Sequence, residues 1–219
     1  DFKAASVTSI RDDSNDTFKA VVKDGEVVAI FITVKDGNPD ASKGEAAVSS
    51  QDEFENALAD SKVTSITLSE GEYTLTQAVN RDLTIEGNGA VIKNNAFSGQ
   101  SAGIYVQGSA DVTVSDVTFT GSAGQYGIVT EAGYTGNVTV ENCTFKGVNV
   151  GVYINDAKNV VINDCTFDGC TAHGIGAERF TSLKGSGNTY LNCPQEVVTY
   201  QAKKDAVSIN GTLEFFDAE

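Results

Sequence analysis

Two consecutive stretches of the chain superimpose without a gap: "NVTVENCTFKGVNVGVYINDAK", from Asn137 to Lys158, and "NVVINDCTFDGCTAHGIGAERF", from Asn159 to Phe180. They share the pattern N-V-x-[VI]-x-x-C-T-F-x-G and, further on, a Gly-[VI] pair. Within each copy the apolar residues alternate, and Val, Ile, Thr and Phe dominate, which signals strands rather than helix. Short strands recurring about every 22 residues are what a solenoid of stacked β coils requires.

The ladder extends beyond the two clearest copies. "DVTVSDVTFTGSAGQYGIVT" begins at Asp111, and a degenerate copy, "SLKGSGNTYLNCPQEVVTY", follows at Ser182. Phe119, Phe145, Phe167 and Tyr190 then fall in one column, and Ile104, Ile128, Val152, Ile175 and Val197 in another, taken from the second strand of each coil. Successive coils lie about 4.8 Å apart, so like stacks on like and fills a narrow interior. The glycines of the Gly-[VI] pairs, Gly103, Gly127, Gly151 and Gly174, are expected where the chain turns between strands.

Upstream, "SSQDEFENALADS" reads as a short helix, with Ser50 and Glu53 as a capping box and Phe54, Ala57 and Leu58 on one face. A solenoid exposes core and unpaired strand edge at a bare end, so this helix is a natural plug. The helix, the I-x-L-x-x-G-x-Y segment at Ile66 to Tyr73, the L-T-I-x-G-x-G segment at Leu83 to Gly89 and the N-V-x-I-x-[ND]-C-x-F coils together resemble the right-handed parallel β-helix of the pectin-lyase-like superfamily. The resemblance covers roughly residues 45 to 219. It implies an all-β solenoid with a short N-terminal capping helix. About function it implies little, because the superfamily includes lyases, glycosidases, adhesins and inert stalks.

The N-terminal segment differs. "TFKAVVKDGEVVAIFITVKDG" reads as a β-hairpin turned at Asp24-Gly25, "SVTSI" as a further strand, and "GNPDASKGEAA" as a linker. Two parts are therefore expected, a hairpin module or linker region over residues 1–40 and the β-helix domain over residues 41–219. The hairpin also resembles short β modules between domains of bacterial cell-surface proteins, including S-layer-type proteins.

Charge narrows the partners. Thirty acidic against fifteen basic side chains leave a net charge of −15 in 219 residues, which repels nucleic acid and anionic lipid. No apolar run reaches the ~18 residues of a membrane span, so no membrane insertion is expected. The chain opens at Asp1 and has no Met, as in a processed protein or a domain cut from a longer one. Together with abundant Asp, Asn, Thr and Gly, this suits an extracellular or cell-surface location.

The four cysteines fall in two stacked pairs, Cys143 with Cys165 and Cys170 with Cys193. Either inter-coil disulfides or buried thiols fit; parallel side chains hold sulfurs wider than the S–S bond prefers, which favours thiols. No zinc site is expected. The single histidine, His173, lies in an H-G-I fragment similar to the glycine-histidine-glycine motif of polygalacturonase-type glycosidases, but Ala172 replaces the first glycine, and the paired-aspartate and Arg-x-Lys segments are missing. A threonine column at Thr118, Thr144, Thr166 and Thr189 has the mixed neighbours Thr120, Lys146, Asp168 and Leu191, which fits β propensity better than ice binding.

The outward positions of the second strand carry the candidate site. Tyr105, Val129, Tyr153, Gly176 and Val198 form one column expected to be exposed, and Gln107, Glu131, Asn155, Glu178 and Tyr200 form the next. Polysaccharide-acting β-helices place clefts on such faces, where aromatics stack on sugars and carboxylates serve as acid, base or calcium ligand. Glu131 and Glu178, two coils apart, would stand roughly 9 to 10 Å apart at the backbone, near the about 6.5 to 9.5 Å of an inverting pair.

The reading is a non-catalytic extracellular module of a bacterial surface or secreted protein: a spacer, an adhesin or a glycan platform using Tyr105, Tyr153, Glu131, Asn155 and Glu178. The alternative is a small glycosidase or lyase using Glu131, Glu178, Asp156 or His173. The turns look tight, with no long insertion; long turn loops over the Tyr105 and Tyr153 face would favour the enzyme, and a bare flat face the module. The expected partner is a polysaccharide or cell-wall glycan, without a cofactor unless calcium binds; oligomeric state stays open.

Overall fold

In a computed structural model, which describes residues 17–23, 26–33, 44–97 and 99–216, the chain forms a right-handed β-solenoid of about seven turns with one short helix. Thr17–Lys23 and Glu26–Thr33 pair antiparallel as a sheet of their own. The expected turn at Asp24-Gly25, the "SVTSI" strand and most of the linker lie outside the described residues.

From Leu83 to Tyr200 each coil carries three strand segments rather than two. The coil that opens at Val138–Glu141 continues through Thr144–Lys146 and into Val150–Asn163, a strand long enough to form the third face and then the first face of the next coil. The second face is an independent parallel sheet, running in spatial order from Glu72–Thr74 to Thr189–Leu191. The corner between first and second faces is made by Asp116, Asn142 and Asp164, with φ of 56°, 54° and 53°. Asn and Asp tolerate this left-handed conformation best among residues with a side chain. The [ND] position of the repeat is therefore a backbone requirement.

The expected columns hold. Phe119, Phe145, Phe167 and Tyr190 stack at 4.9, 5.0 and 5.2 Å with ring planes within 9° of parallel. Ile104, Ile128, Val152, Ile175 and Val197 are fully buried in register on the third face. Like-on-like stacking follows directly from parallel pairing without register shift.

The Gly-[VI] glycines are not turn residues. Gly103, Gly127, Gly151 and Gly174 lie inside strands and have no positive φ. They are required sterically: a Cβ on Gly103 would lie 2.6 Å from Phe119 Cδ1, and one on Gly174 2.7 Å from Tyr190 Cδ1. Each aromatic ring of one coil fills the space left by the glycine of the coil before it.

The helix Gln51–Ala59 plugs the N-terminal end with Phe54, Ala57 and Leu58 buried, and Phe54 meets Tyr73 edge-on at 5.5 Å. Its cap is shifted from the expected box. The Glu53 N–H donates to Ser50 Oγ at 3.3 Å, but the Glu53 carboxylate accepts from the N–H and Oγ of Ser49, not from Ser50. Those bonds hold Glu53 below its ordinary carboxylate range. At the other end of the helix, Arg81 donates to the carbonyls of Ala57, Leu58 and Val63 at 2.9 to 3.1 Å, satisfying helix-terminal acceptors with a cation.

Candidate functional site

The outer side of the third face is partly roofed. After Val91–Lys93 the chain makes a short antiparallel hairpin, Asn95–Phe97 against Gln100–Val106. This places Phe97 against Tyr105 at 5.9 Å between ring centres. Tyr105, Val129 and Ala102 form a small apolar cluster outside the bore, flanked by Ala78, Phe97, Tyr126 and Tyr153. The column expected to be exposed is therefore largely covered: Tyr105 is 9% exposed, and Val129 and Val198 are fully buried. Tyr105 is corrected from a ligand-facing residue to a packing residue.

Tyr153 remains partly exposed. Its ring lies across Gly176, where a Cβ would come 2.7 Å from Tyr153 Cδ2, so the missing side chain makes room for the tyrosine. Tyr126 leans on Tyr153 at 5.4 Å and a 33° tilt. The Tyr153 hydroxyl donates to Glu178 Oε1, and burial followed by that bond raises its ionisation above the usual phenol range. The phenol stays neutral at any ordinary pH.

From Glu178 the network continues outward. Arg179 donates from Nη1 to Glu178 at 2.8 Å and forks onto Asp156 through Nε at 2.8 Å and Nη2 at 2.9 Å, while the Gly133 N–H donates to Asp156 Oδ2 at 2.8 Å. The register explains the meeting, because Asp156 pairs with Arg179 on adjacent coils. The Arg179 hydrogen bonds hold the Asp156 carboxyl below its ordinary range, with Gly133 contributing.

A depressed carboxyl stabilises the fold above its unfolded pKa, about 3.9 for Asp, and that contribution fades as pH falls through the folded value. Asp156→Asn is therefore expected to lower the urea midpoint at about pH 7 and to converge with the parent at about pH 2. Urea curves at both pH values check this; an equal loss at both would show that the ion pair is not what Asp156 contributes.

The remaining candidates are separately engaged. Glu131 accepts from the Gly108 N–H at 2.5 Å and from Gln107 Nε2 at 3.1 Å, binding back toward the preceding coil. Asn155 donates its side-chain amide to the Thr130 carbonyl and its backbone N–H to Thr130 Oγ1, while Thr130 Oγ1 donates to the Asp156 carbonyl. His173 opens the strand His173–Ser186 beside Val150 and Gln195, half-buried, with no protein partner at Nδ1. Burial lowers its imidazole below the usual histidine range, so it is neutral at about pH 7.

The structure thus joins Tyr153, Glu178 and Asp156 through Arg179, while Glu131 and Asn155 are bonded elsewhere and the His173 side chain takes no part in the network. Tyr126 belongs to the same surface. Its signal was the tyrosine two residues before Ile128, in the otherwise repetitive run "QYGIVT". Tyr200 extends the aromatic surface by stacking on Phe216 at 5.5 Å. Among the described residues, no group of three or more His, Cys, Asp and Glu side chains could hold a metal ion, and no helix is long and apolar enough to cross a membrane.

Comparison with protein families matches residues 82–213 to the right handed beta helix region. Neither curated proteins nor solved structures yield a match.

Proposed function

This chain belongs to the right-handed β-helix family, and we propose that it is a non-catalytic extracellular module that binds glycan chains on the Tyr126, Tyr153 and Tyr200 surface of its third face. One observation carries the reading: the carboxylates beside the exposed aromatics already accept hydrogen bonds from the protein. Both oxygens of Glu178 and of Asp156 have donors, as do both oxygens of Glu131, one coil before Asp156 and two before Glu178. A hydrolase needs one carboxyl free to deliver a proton and another free to attack or to activate water. Here they position a tyrosine and an arginine instead. Rings held rigid by neighbours suit stacking on sugar faces, and the surrounding amides and carboxylates suit hydroxyls.

The charge on this face selects among glycans. Asp156, Glu178 and Glu214 border the surface, while Arg179 is engaged by Asp156 and Glu178. Uronate polymers would be repelled, so neutral or amino-sugar chains are the ligands favoured.

A glycan array paired with turnover assays tests the reading. Tyr153→Ala is expected to weaken binding about tenfold or more by removing one stacking platform, with no product formed by either protein. Glu178→Gln retains an acceptor for the Tyr153 hydroxyl and should leave binding nearly intact. Depolymerisation that disappears in Glu178→Gln or Glu131→Gln would replace this reading with a glycosidase or lyase. Failure to bind any glycan would leave a spacer.

A further inference from the structure

We infer that Cys170 and Cys193 are an oxidisable dithiol at the C-terminal end of the solenoid, closed to a disulfide by exchange with a small-molecule disulfide, while Cys143 and Cys165 stay reduced. All four cysteines are free thiols. Each pair occupies one register position on adjacent coils: Thr166–Asp168 pairs with Thr189–Leu191, and Cys170 and Cys193 each follow two residues later. Adjacent parallel strands stand about 4.8 Å apart, inside the Cα range of about 4.4 to 6.8 Å that a disulfide spans. Stacked in-register Cβ atoms nevertheless stand somewhat wider than the ideal, so one partner must be able to move.

Only one pair meets that condition and admits an oxidant. Cys143 and Cys165 are buried at 1% and 0% exposure. They are held in the middle of an interior column by Val117 on one side and by Asn188 on the other. Asn188 accepts the Cys165 N–H at 3.0 Å, donates to the Ile162 carbonyl and is itself bonded to Asn210, which closes the end of that column. Cys170 is also fully buried, but Cys193 is partly exposed. It lies in the turn just after Thr189–Leu191, the last strand of the second-face sheet, where Leu191 is 45% exposed and no further strand of that sheet stacks among the described residues. Its thiol donates to the carbonyls of Phe167 at 3.4 Å and Leu191 at 3.5 Å. The neighbouring Cys170 brings the Cys193 thiol down to about 7, against burial and the nearby Asp168 carboxylate, and is itself raised.

The chemistry follows from this asymmetry. The Cys193 thiolate attacks one sulfur of the small disulfide; that S–S bond breaks, a mixed disulfide forms at Cys193, and one small thiolate leaves and takes up a proton. Cys170 then gives up its proton and attacks Cys193 Sγ, expelling the second small thiolate, which carries that proton away. Two protein thiols are oxidised and one small disulfide is reduced to two thiols. The product ties the last coil of the second face to the coil beneath it.

The fully reduced chain is incubated natively with oxidised glutathione, quenched with acid, unfolded, alkylated and mapped by mass spectrometry. The expected result is a single Cys170–Cys193 linkage with Cys143 and Cys165 alkylated. Brief native alkylation is expected to label Cys193 at least about tenfold faster than the other three, because only it combines exposure with thiolate character. In Cys170→Ser the reaction should stop at a glutathione adduct on Cys193, and in Cys193→Ser neither adduct nor linkage should form. Four free thiols after native incubation, equal oxidation of both pairs, or a Cys193 adduct that persists in the parent chain would each overturn the inference. The parent-chain mapping decides even if a variant does not fold.

Discussion

Phe145→Ala is expected to destabilise the solenoid by about 3 to 5 kcal/mol, near the top of the range for a single truncation. Phe145 is fully buried and stacked between Phe119 and Phe167 at 4.9 and 5.0 Å, with planes within 5° on both sides. Its ring also fills the space over Gly127, where no side chain exists to relax inward. The void would be walled by two parallel rings and by backbone tied into ladders on three faces, so little collapse is available. Phe145→Leu should cost less, about 1 to 2 kcal/mol, because much of the volume is restored. Leu191→Ala, at 45% exposure, should change stability by no more than about 0.5 kcal/mol. Urea midpoints of the three variants make the comparison. If Phe145→Ala cost no more than Leu191→Ala, the aromatic column would not be the core it is taken to be.

Much of this architecture was legible because the repeat encodes it locally. Once Phe119, Phe145 and Phe167 are aligned, parallel in-register stacking follows, and the third-face column from Ile104 to Val197 follows with it. The helix plug was legible from Phe54, Ala57 and Leu58. What escaped depended on residues that do not repeat. The roof over Tyr105 comes from Phe97, in a hairpin that among the described residues interrupts a single coil, so its column carried no trace of being covered. Arg81 reaches back 18 to 24 residues to close the helix end, and no spacing announces that.

The candidate site was half legible for a related reason. Alternation along a strand tells which side of the coil a residue faces, and Tyr153, Glu178 and Tyr200 were placed on the outer side correctly. Alternation does not tell whether an outward carboxylate is free. Glu131 is committed to Gly108 and Gln107 by a turn one coil below, and Asp156 to Arg179 by the pairing register. Both commitments are three-dimensional. The cysteines show the same limit: two pairs, each stacked in register, become chemically different because one column is closed by Asn188 and Asn210 and the other ends near solvent.

The glycines of the Gly-[VI] pairs, which pack against rings rather than turn the chain, lead to the second large effect. Gly151→Ala is expected to destabilise by about 2 to 3 kcal/mol although alanine is conformationally acceptable there. Gly151 lies within the strand Val150–Asn163 and has no positive φ, so backbone strain is not the cause. A Cβ would stand 2.6 Å from Phe167 Cε1 and 2.7 Å from the Gly174 carbonyl oxygen. The ring cannot swing away because Phe145 and Tyr190 stack on its faces at 5.0 and 5.2 Å, and the carbonyl belongs to the next coil's strand. Relief therefore requires the coils themselves to part. A double-mutant cycle separates the two contacts: in a Phe167→Leu background the ring clash is gone and only the carbonyl remains. The second substitution should then cost less than it does alone, with a coupling of about 0.5 to 2 kcal/mol. Strict additivity would show that the Gly174 carbonyl alone excludes a side chain at this position, and that the aromatic and glycine columns are not one packing unit.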